Sequence, residues 1–399
     1  MSNAISALQH LLETQERLDR LIAATFRRCG PRLIDLSYAN PSDGPSAEVL
    51  SILARAATET TGRSLQYSPI AGRAASRRAV AAAIARRFDL PFGCRDVFLT
   101  AGAMPALNIV SRALFDAGDE VIVLTPAWQD YPLYLRNLGA RVRLVPLRAD
   151  KHFDLDAIGA AIGPATRGIF ISQPCCPTGV VYSRTEIEQL ASILTAAERR
   201  LGIAVYLISD EVHRDVIWNG TPFHSPLQSY PRSISVYSFG KAFAMQGQRV
   251  GYLAVSPRMR QLEAIRIAIE RCVRLMGFGH PTATMQRAVC DLVECRPVLE
   301  PLARAQRLVR RSLTSCGYDV CDGDASFYVY VTSPLPDAFA FAELLALRGV
   351  LVIPSNMFHE PGYVRLALTA RHEALEAALP VFAAALAETR GAPACSSRC

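Results

Sequence analysis

The sequence lacks the long apolar runs that membrane proteins and secretory precursors carry. No stretch reaches the roughly eighteen consecutive apolar residues that span a bilayer as a helix. The first twenty residues contain Glu13, Glu16 and Asp19 and show no apolar signal core. We therefore expect a cytoplasmic protein that has no membrane partner.

Two further absences concern metals and nucleic acids. The eleven cysteines are scattered without paired C-x-x-C units, and the adjacent Cys175 and Cys176 suit neither an ordinary disulfide nor the usual zinc spacing. The net charge of +7 is spread thinly, without a Lys/Arg block or a basic run interleaved with aromatics. We expect reduced thiols, no metal site and no nucleic-acid partner. Cys395 and Cys399 lie in a tail that we expect to be disordered.

What the sequence does contain is a large apolar fraction in strand and helix patterns. With 399 residues, half of them apolar, the chain can bury a large core and form two domains. Short β-rich runs alternate with helical stretches such as Pro105–Phe115 and Arg184–Leu201. This alternation predicts an α/β domain with a mostly parallel, seven-stranded sheet. The candidate strands are Val97–Thr100, Glu120–Leu124, Arg141–Val145, Gly168–Ser172, Ala204–Ser209, Ser233–Ser238 and Val250–Val255.

After residue 257 the pattern changes to that of a smaller α+β domain. It predicts one helix over Leu262–Leu275 and a second that follows Pro281 and continues past Pro297 to about Leu313. The remaining elements are strands at Phe327–Val331, Val350–Ile353 and Tyr363–Leu368, with helices at Phe339–Leu347 and Ala374–Glu388. We expect a helical arm with a small-domain segment at 1–45, a large domain at 46–285, a small domain at 286–390 and the tail at 391–399.

The first candidate for chemistry is a lysine at the end of a predicted strand. Lys241 follows the strand Ser233–Ser238, and ligands bind at strand ends in open α/β sheets. Its amine can condense with an aldehyde cofactor. Ser238, three residues earlier, and Arg249, eight residues later, can both hold a phosphate.

Two further motifs also follow predicted strands. Asp210 can keep the nitrogen of a pyridine cofactor protonated, although an aspartate here can also simply cap a helix. Gly102, Ala103 and Met104 open a helix whose free backbone N–H groups can bind a phosphate. An ordinary strand-to-helix turn has the same sequence pattern, so neither motif is decisive alone.

Taken together and in this order, the motifs resemble the class I and II aminotransferases. These are fold-type-I enzymes of the aspartate aminotransferase superfamily and depend on pyridoxal 5′-phosphate (PLP). The resemblance extends from about residue 33 to residue 388. The matching stretches are YSPIAG at 67–72, TAGAMPAL at 100–107, GDEVIVLTPAWQDY at 118–131, PTG at 177–179, SDEVHRD at 209–215, SFGK at 238–241, QRVGY at 248–252 and YVRLAL at 363–368.

The resemblance implies a role for each matching residue. Lys241 carries PLP as a Schiff base and moves a proton at the substrate Cα, Asp210 pairs with the ring nitrogen, and Trp128 stacks on the ring. Arg365 grips the substrate α-carboxylate. Tyr67 reaches the phosphate of a neighbouring subunit, which implies a homodimer with shared active sites. The implied contacts are Tyr67, Gly102, Ala103, Met104, Trp128, Cys176, Asp210, His213, Ser238, Lys241 and Arg249 for the cofactor, and Ala39, Asn40 and Arg365 for the substrate.

The sequence departs from the family pattern at both residues that would contact the phenolic oxygen of the cofactor. Where the family has N-P-x-N-P-T-G, residues 173–179 read QPCCPTG, so Cys176 replaces an asparagine that donates to the phenolic oxygen of the cofactor. His213 replaces a tyrosine that contacts the same oxygen, and a histidine here resembles the cystathionine β-lyase-type branch of carbon–sulfur lyases. A thiol is a weaker donor than an amide. The two changes either retune the cofactor or are drift within an ordinary aminotransferase.

The resemblance implies an enzyme that transfers an amino group between an α-amino acid and a 2-oxo acid, in specialised amino-acid or secondary metabolism. The alternative is another PLP reaction: β-elimination of a cysteine S-conjugate, decarboxylation, oxidative deamination or cyclisation. A third possibility is a PLP-sensing transcription regulator. Such a protein needs a DNA-binding domain, for which the roughly 30 residues before the resemblance are too few. The substrate side chain is not evident from the sequence.

Overall fold

The computed structural model describes residues 3–59 and 61–391 of the chain. The α-helices in this part are α1 (Asn3–Cys29), α2 (Ala47–Thr58), α3 (Ala74–Phe88), α4 (Ala103–Leu114), α5 (Tyr131–Asn137), α6 (Leu155–Ala161), α7 (Arg184–Leu201), α8 (Pro226–Ser229), α9 (Phe239–Ala242), α10 (Leu262–Met276), α11 (Ala283–Leu292), α12 (Glu300–Cys316), α13 (Ala338–Leu347) and α14 (His372–Gly391). The strands are β1 (Ile34–Asp35), β2 (Val97–Thr100), β3 (Glu120–Thr125), β4 (Arg141–Pro146), β5 (Thr166–Ser172), β6 (Tyr206–Asp210), β7 (Ser233–Ser238), β8 (Gly251–Val255), β9 (Tyr328–Thr332), β10 (Val350–Leu351), β11 (Ile353–Pro354) and β12 (Tyr363–Ala367).

A seven-stranded sheet forms the centre of the large domain. Its strand order is β2-β8-β7-β6-β5-β3-β4, and β8 is antiparallel to both of its neighbours while the other pairs are parallel. Strands such as β7 and β8 are buried along their whole length because helices cover both faces. The predicted α/β fold class with a mostly parallel sheet is therefore confirmed.

The small domain contains a three-stranded antiparallel sheet in the order β11-β12-β9. Strand β1 pairs in parallel with β10, so the segment around residue 34 joins the C-terminal part of the chain in space. Helices α12, α13 and α14 contribute apolar side chains to one core with these strands, among them Val309, Phe341 and Phe382.

One helix prediction is wrong. The chain does not continue as a single helix from Pro281 past Pro297; instead α11 ends at Leu292 and α12 begins at Glu300. Pro297 lies between them, where a proline removes a backbone donor and disfavours a continuous helix.

The N-terminal pattern forms one long helix, α1. Helix α11 packs with α2 and α3 in one apolar cluster.

The structure does not test the expectations for the C-terminal tail and for the domain boundaries. The tail beyond residue 391 lies outside the described residues, and the domain boundaries stay predictions. Among residues 3–59 and 61–391, no helix combines the length and apolar character needed to cross a bilayer.

Candidate active site

The carboxyl ends of neighbouring parallel strands bring the predicted residues together. Asp210 is the last residue of β6, Lys241 follows β7 by a single turn, and Cys176 follows β5. Trp128 follows β3, the next strand in the sheet. This edge of an open α/β sheet is where ligands bind, because the loops diverge there and leave a crevice.

Lys241 lies on the short helix α9, which follows β7 without a loop. The neighbouring Phe239 and Gly240 are buried and hold this helix in the core, while Lys241 itself is half-buried. Its Nζ lies 5.2 Å from the centroid of the Phe327 ring, which comes from the small domain. A cavity of about 890 Å³ opens beside Lys241 between the two domains. Of the predicted cofactor and substrate residues, only Lys241 lines this cavity.

Asp210 is a buried carboxylate with few donors around it. Its Oδ2 accepts a hydrogen bond of 2.6 Å from the Tyr131 hydroxyl, and its Oδ1 accepts one of 3.2 Å from the Val212 backbone. Burial raises the pKa of Asp210 to about 6, although the Tyr131 bond and the charge of Lys241 act in the opposite direction. A carboxylate in this state favours a cationic partner, such as a protonated ring nitrogen.

Arg365 lies at the floor of the crevice on β12 and is 1% exposed. Its Nη2 donates a 3.0 Å hydrogen bond to the Ser37 carbonyl. Its guanidinium carbon lies 3.9 Å from the centroid of the Tyr328 ring and 4.8 Å from that of Phe358. Nε and Nη1 have no hydrogen-bond partner within the described chain. Because buried donors are normally paired, Nε and Nη1 are suited to bind an anion.

Ala39 and Asn40, the other predicted substrate residues, lie in the loop after β1. Ala39 is buried, and its carbonyl accepts a hydrogen bond of 3.2 Å from Gln246 Nε2. Asn40 is exposed, and its backbone N–H bonds to the Tyr38 carbonyl. Ala39 shares an apolar cluster with Cys176 and Phe327.

The predicted phosphate site forms where α4 begins. Gly102 has a φ of +89°, and a Cβ at this position would lie 2.8 Å from Nη2 of Arg249. The Gly102 N–H is occupied by the Thr100 carbonyl, whereas Ala103 and Met104 open the helix and have no preceding turn to bond. Ser238 is buried on the same side, since its neighbour in the sheet, Gly251, packs on Gly102. A cation and free helical N–H groups together suit a phosphate.

Cys176 and His213 are both buried beside Lys241. Burial raises the pKa of the Cys176 thiol to about 11, so it is protonated at neutral pH. Burial, together with the charges of Lys241 and Arg365, lowers the pKa of His213 well below its usual value, which keeps the imidazole neutral. Its Nδ1 lacks a hydrogen-bond partner among the side chains and backbone that the structure describes. The ring instead contacts Phe327 edge-on, with 5.0 Å between the ring centroids.

Trp128 and Tyr67, both predicted to contact the cofactor, lie in different environments. Trp128 is half-buried and packs against the apolar core of the large domain. Tyr67 is fully exposed within its own chain. The sequence did not identify Tyr131 as the main partner of Asp210. Its position three residues after Trp128, at the start of α5, was the available signal.

The chain is similar throughout its length to known aminotransferases. The family model for aminotransferase class I and II matches residues 31–381. An aspartate/prephenate aminotransferase of Thermus thermophilus is 31% identical over 372 residues, which cover 91% of this chain and 94% of the relative. An arginine–pyruvate transaminase of Pseudomonas aeruginosa is 30% identical and covers 91% and 92%. The crystal structure of an amino transferase from Eubacterium rectale gives a TM-score of 0.89 at 25% identity, covering 93% and 95%.

These comparisons confirm the predicted fold type, the PLP dependence and the aminotransferase activity. The site also fits PLP on its own terms. It has a half-buried lysine directly after β7, a buried carboxylate for the ring nitrogen and a helix N-terminus with an arginine for the phosphate. The chain belongs to the class I and II aminotransferase family.

Proposed function

We propose that amino transfer takes place in the crevice beside Lys241 and that Arg365 binds the α-carboxylate of the amino acid and of the 2-oxo acid. The observation that carries this proposal is the buried guanidinium of Arg365, whose Nε and Nη1 lack partners among residues 3–59 and 61–391. A carboxylate can accept a charge-assisted hydrogen bond from either of these groups. Tyr328 and Phe358 keep the guanidinium plane in place from two sides.

Bound PLP supplies an electron sink for the electron pair left when the substrate Cα loses its proton. We assign contact with its ring nitrogen to Asp210, contact with its ring face to Trp128, and contact with its phosphate to Arg249, Ser238 and the first N–H groups of α4. The raised pKa of Asp210 supports this assignment, because a cationic partner would stabilise the carboxylate that burial disfavours.

Lys241 is the group that binds the cofactor and moves the proton at Cα. A lysine amine that is not bonded to the cofactor can accept this proton from the substrate Cα. The same amine can then deliver the proton to a second carbon atom. Helix α9 directs Lys241 towards Phe327, which covers one side of the amine and limits the access of water. His213 is neutral and adjacent, so it adds no competing positive charge.

Homodimer formation is the second part of the proposal, and an exposed apolar patch at the phosphate end supports it. Tyr67, Leu65, Phe278 and Met104 are all exposed. Their segments adjoin: the Ala101 N–H donates to the Gly279 carbonyl at 2.9 Å, and His280 Nε2 donates to the Pro69 carbonyl at 3.2 Å. A second copy of this chain would cover the patch and bring its Tyr67 to the phosphate site.

We also propose that the protein works in the cytoplasm. Nine cysteines of the described chain are free thiols, and Cys175 and Cys176 are buried. Unpaired cysteines in this number suit a reducing compartment.

A second candidate activity is β-elimination from a cysteine S-conjugate. The observation that favours it is His213, a buried neutral imidazole whose Nδ1 has no partner in the described residues. The Cys176 thiol beside Lys241 is also a weaker donor than the asparagine amide of the family pattern. Both activities begin with removal of the same Cα proton, and they differ in whether a group leaves from Cβ.

The experiment is to incubate the purified PLP-loaded enzyme with single amino acids or cysteine S-conjugates, without an oxo-acid acceptor. Mass spectrometry identifies the cofactor form and the products. We expect one 2-oxo acid per site and conversion of the cofactor to its amine form. Persistent PLP with pyruvate and ammonia accumulating over many turnovers would instead establish a lyase. Lys241→Ala is the control that abolishes both outcomes, and Arg365→Met tests the carboxylate site through the donor KM.

A further inference from the structure

A buried lysine lies outside the set of residues that the proposed reaction uses. Lys151 is 3% exposed although it lies in a turn, with a φ of +66° and a backbone bond of 2.9 Å to the Arg148 carbonyl. Its Nζ donates a 2.7 Å hydrogen bond to Glu360 Oε1 and lies 4.1 Å from the centroid of the Tyr363 ring. The Tyr330 hydroxyl donates to Glu360 Oε2 at 2.8 Å. Both charged groups are therefore paired, and Lys151 is almost inaccessible to water while Glu360 is partly buried.

The two partners come from different domains. Lys151 follows β4, at the edge of the seven-stranded sheet, and Glu360 lies in the turn between β11 and β12 of the small domain. Burial, the largest single influence, lowers the pKa of Lys151, but the hydrogen bond to Glu360, the Glu360 charge and Tyr363 together raise it above its usual value. The lysine thus stays charged in the folded protein, and the ion pair connects the two domains at one defined point.

The same small-domain turn makes two more bonds to the large domain, on either side of Trp128. The Ala127 N–H donates to the Phe358 carbonyl at 3.1 Å, and His359 Nε2 donates to the Gln129 carbonyl at 3.2 Å. Since Trp128 lies between these two bonded residues, the position of the turn fixes the position of the loop that presents Trp128.

The turn also supplies one wall of the proposed carboxylate site. Phe358 is fully buried, and its ring centroid is 4.8 Å from the guanidinium carbon of Arg365. A shift of the turn would therefore move the Phe358 ring and the Trp128 loop together. Small displacements of positioning groups around a substrate cost large factors in activity.

We propose that the Lys151–Glu360 ion pair is a positioning device that fixes this turn against the large domain and so sets the geometry of the substrate-binding crevice. The proposal rests on the proposed role of Arg365 as the carboxylate site. Stability alone is a weak reason for the pair, because apolar residues of similar size often stabilise a protein as well as a buried ion pair does. A hydrogen-bonded ion pair, unlike apolar contacts, fixes both distance and direction.

The test compares the single variants Lys151→Met and Glu360→Gln with the double variant Lys151→Met/Glu360→Gln. We expect each single change to raise the KM for the amino donor about tenfold, with kcat changed less than about threefold. The double variant leaves no unpaired buried charge, so its melting temperature should return towards that of the unmodified protein while its KM stays high. Arg148→Met removes an exposed ion pair with Asp150 in the same turn and should change neither.

A second readout does not depend on activity. In the cofactor-free protein, amide hydrogen exchange of residues 355–362 and of Ala127 should be faster in both single variants and in the double variant, but not in Arg148→Met. A KM that is unchanged in the single variants, or that recovers with stability in the double variant, would overturn the proposal. If Arg365→Met leaves the donor KM unchanged, the carboxylate assignment has failed instead, which separates the two failures.

Discussion

At the scale of single residues, the protonation of Asp210 connects the site to stability. The usual pKa of 3.8 applies when the chain is unfolded, whereas burial raises the pKa to about 6 in the folded protein. Between these values the folded state binds more protons than the unfolded state. The free energy of unfolding therefore falls as the pH rises through this window, by about 3 kcal/mol for a shift of this size.

The corresponding prediction concerns Asp210→Asn in the cofactor-free protein. Asparagine does not ionise, and its carbonyl oxygen can accept from the Val212 N–H while its amide NH2 group donates to the Tyr131 hydroxyl oxygen. This part of the pH dependence should therefore disappear. We expect the variant to gain about 2–3 kcal/mol relative to the unmodified protein between pH 4 and pH 7. Urea unfolding at a series of pH values measures the difference. If the free energy of unfolding changes with pH in the same way in the variant and in the unmodified protein, Asp210 is not the group responsible.

Cys176 gives a second prediction at this scale. Its thiol is protonated at neutral pH and is a weak donor. In Cys176→Asn, an amide would donate to an oxygen of the cofactor more strongly and favour the anionic form of that oxygen. We expect the pH midpoint of the cofactor absorbance change in the loaded enzyme to fall by roughly one unit. Cys176→Ala is the size control and should leave the midpoint in place, whereas equal shifts in both variants would point to packing.

The residues that follow strands could be predicted from the sequence, and their partners could not. Asp210 and Lys241 follow strands whose apolar runs are evident, so their shared location follows from a parallel sheet. Tyr131, Phe327 and Glu360 reach the site through tertiary packing, and no local pattern indicates their direction. The absence of a partner for Nε and Nη1 of Arg365, within the described chain, is likewise visible only in three dimensions.

At the scale of elements, two segments cross with almost no space between their backbones. The Asp324 and Ala325 N–H groups both donate to the Gly179 carbonyl at 3.0 Å. Gly179 has a φ of +79°, and a Cβ there would clash with the Ala325 carbonyl oxygen, while one at Gly323 would clash with the Thr178 carbonyl oxygen. The turn that carries Cys176 is thereby fixed against the segment that leads into Phe327.

This crossing predicts a large effect for Gly179→Ala. Both the left-handed backbone and the clash disfavour the substitution, and we expect a loss of about 3 kcal/mol or more. Gly220→Ala is the matched control, because Gly220 has a similar φ of +84° and nothing within 4 Å of the added carbon. It should cost only about 1–2 kcal/mol. Thermal unfolding of both variants provides the comparison. Equal losses of stability would mean that backbone conformation alone explains the need for glycine at position 179.

Element prediction succeeded where the pattern was continuous. All seven strands of the large sheet were expected within a few residues of their observed positions. Six of them are largely buried apolar runs between turn signals, and the edge strand β4 is mostly exposed and begins with alternating arginine and apolar residues. The break between α11 and α12 was missed, since apolar residues recur across Pro297 at helical spacing. Helices α5 and α6 have only seven residues each, too few for a clear period.

At the scale of the whole molecule, the exposed Tyr67 predicts that a complete active site needs two chains. Nothing in the described chain covers this side chain, whereas the phosphate site of the same chain contains Arg249 and the start of α4. If Tyr67 acts in the neighbouring subunit, a mixed dimer of Lys241→Ala and Tyr67→Ala chains contains one site with both changes and one site with neither.

Mixing these two variants after dissociation and reassociation therefore tests the dimer directly. Each variant alone should be nearly inactive or strongly impaired. Random reassociation gives about half mixed dimers, each with one intact site, so about a quarter of the unmodified activity should return. The control mixes Lys241→Ala with Asp210→Asn; both residues belong to one chain's site, so every mixed dimer keeps an altered residue at each site. No recovery in the Tyr67 mixture would place Tyr67 in the site of its own chain or outside any site.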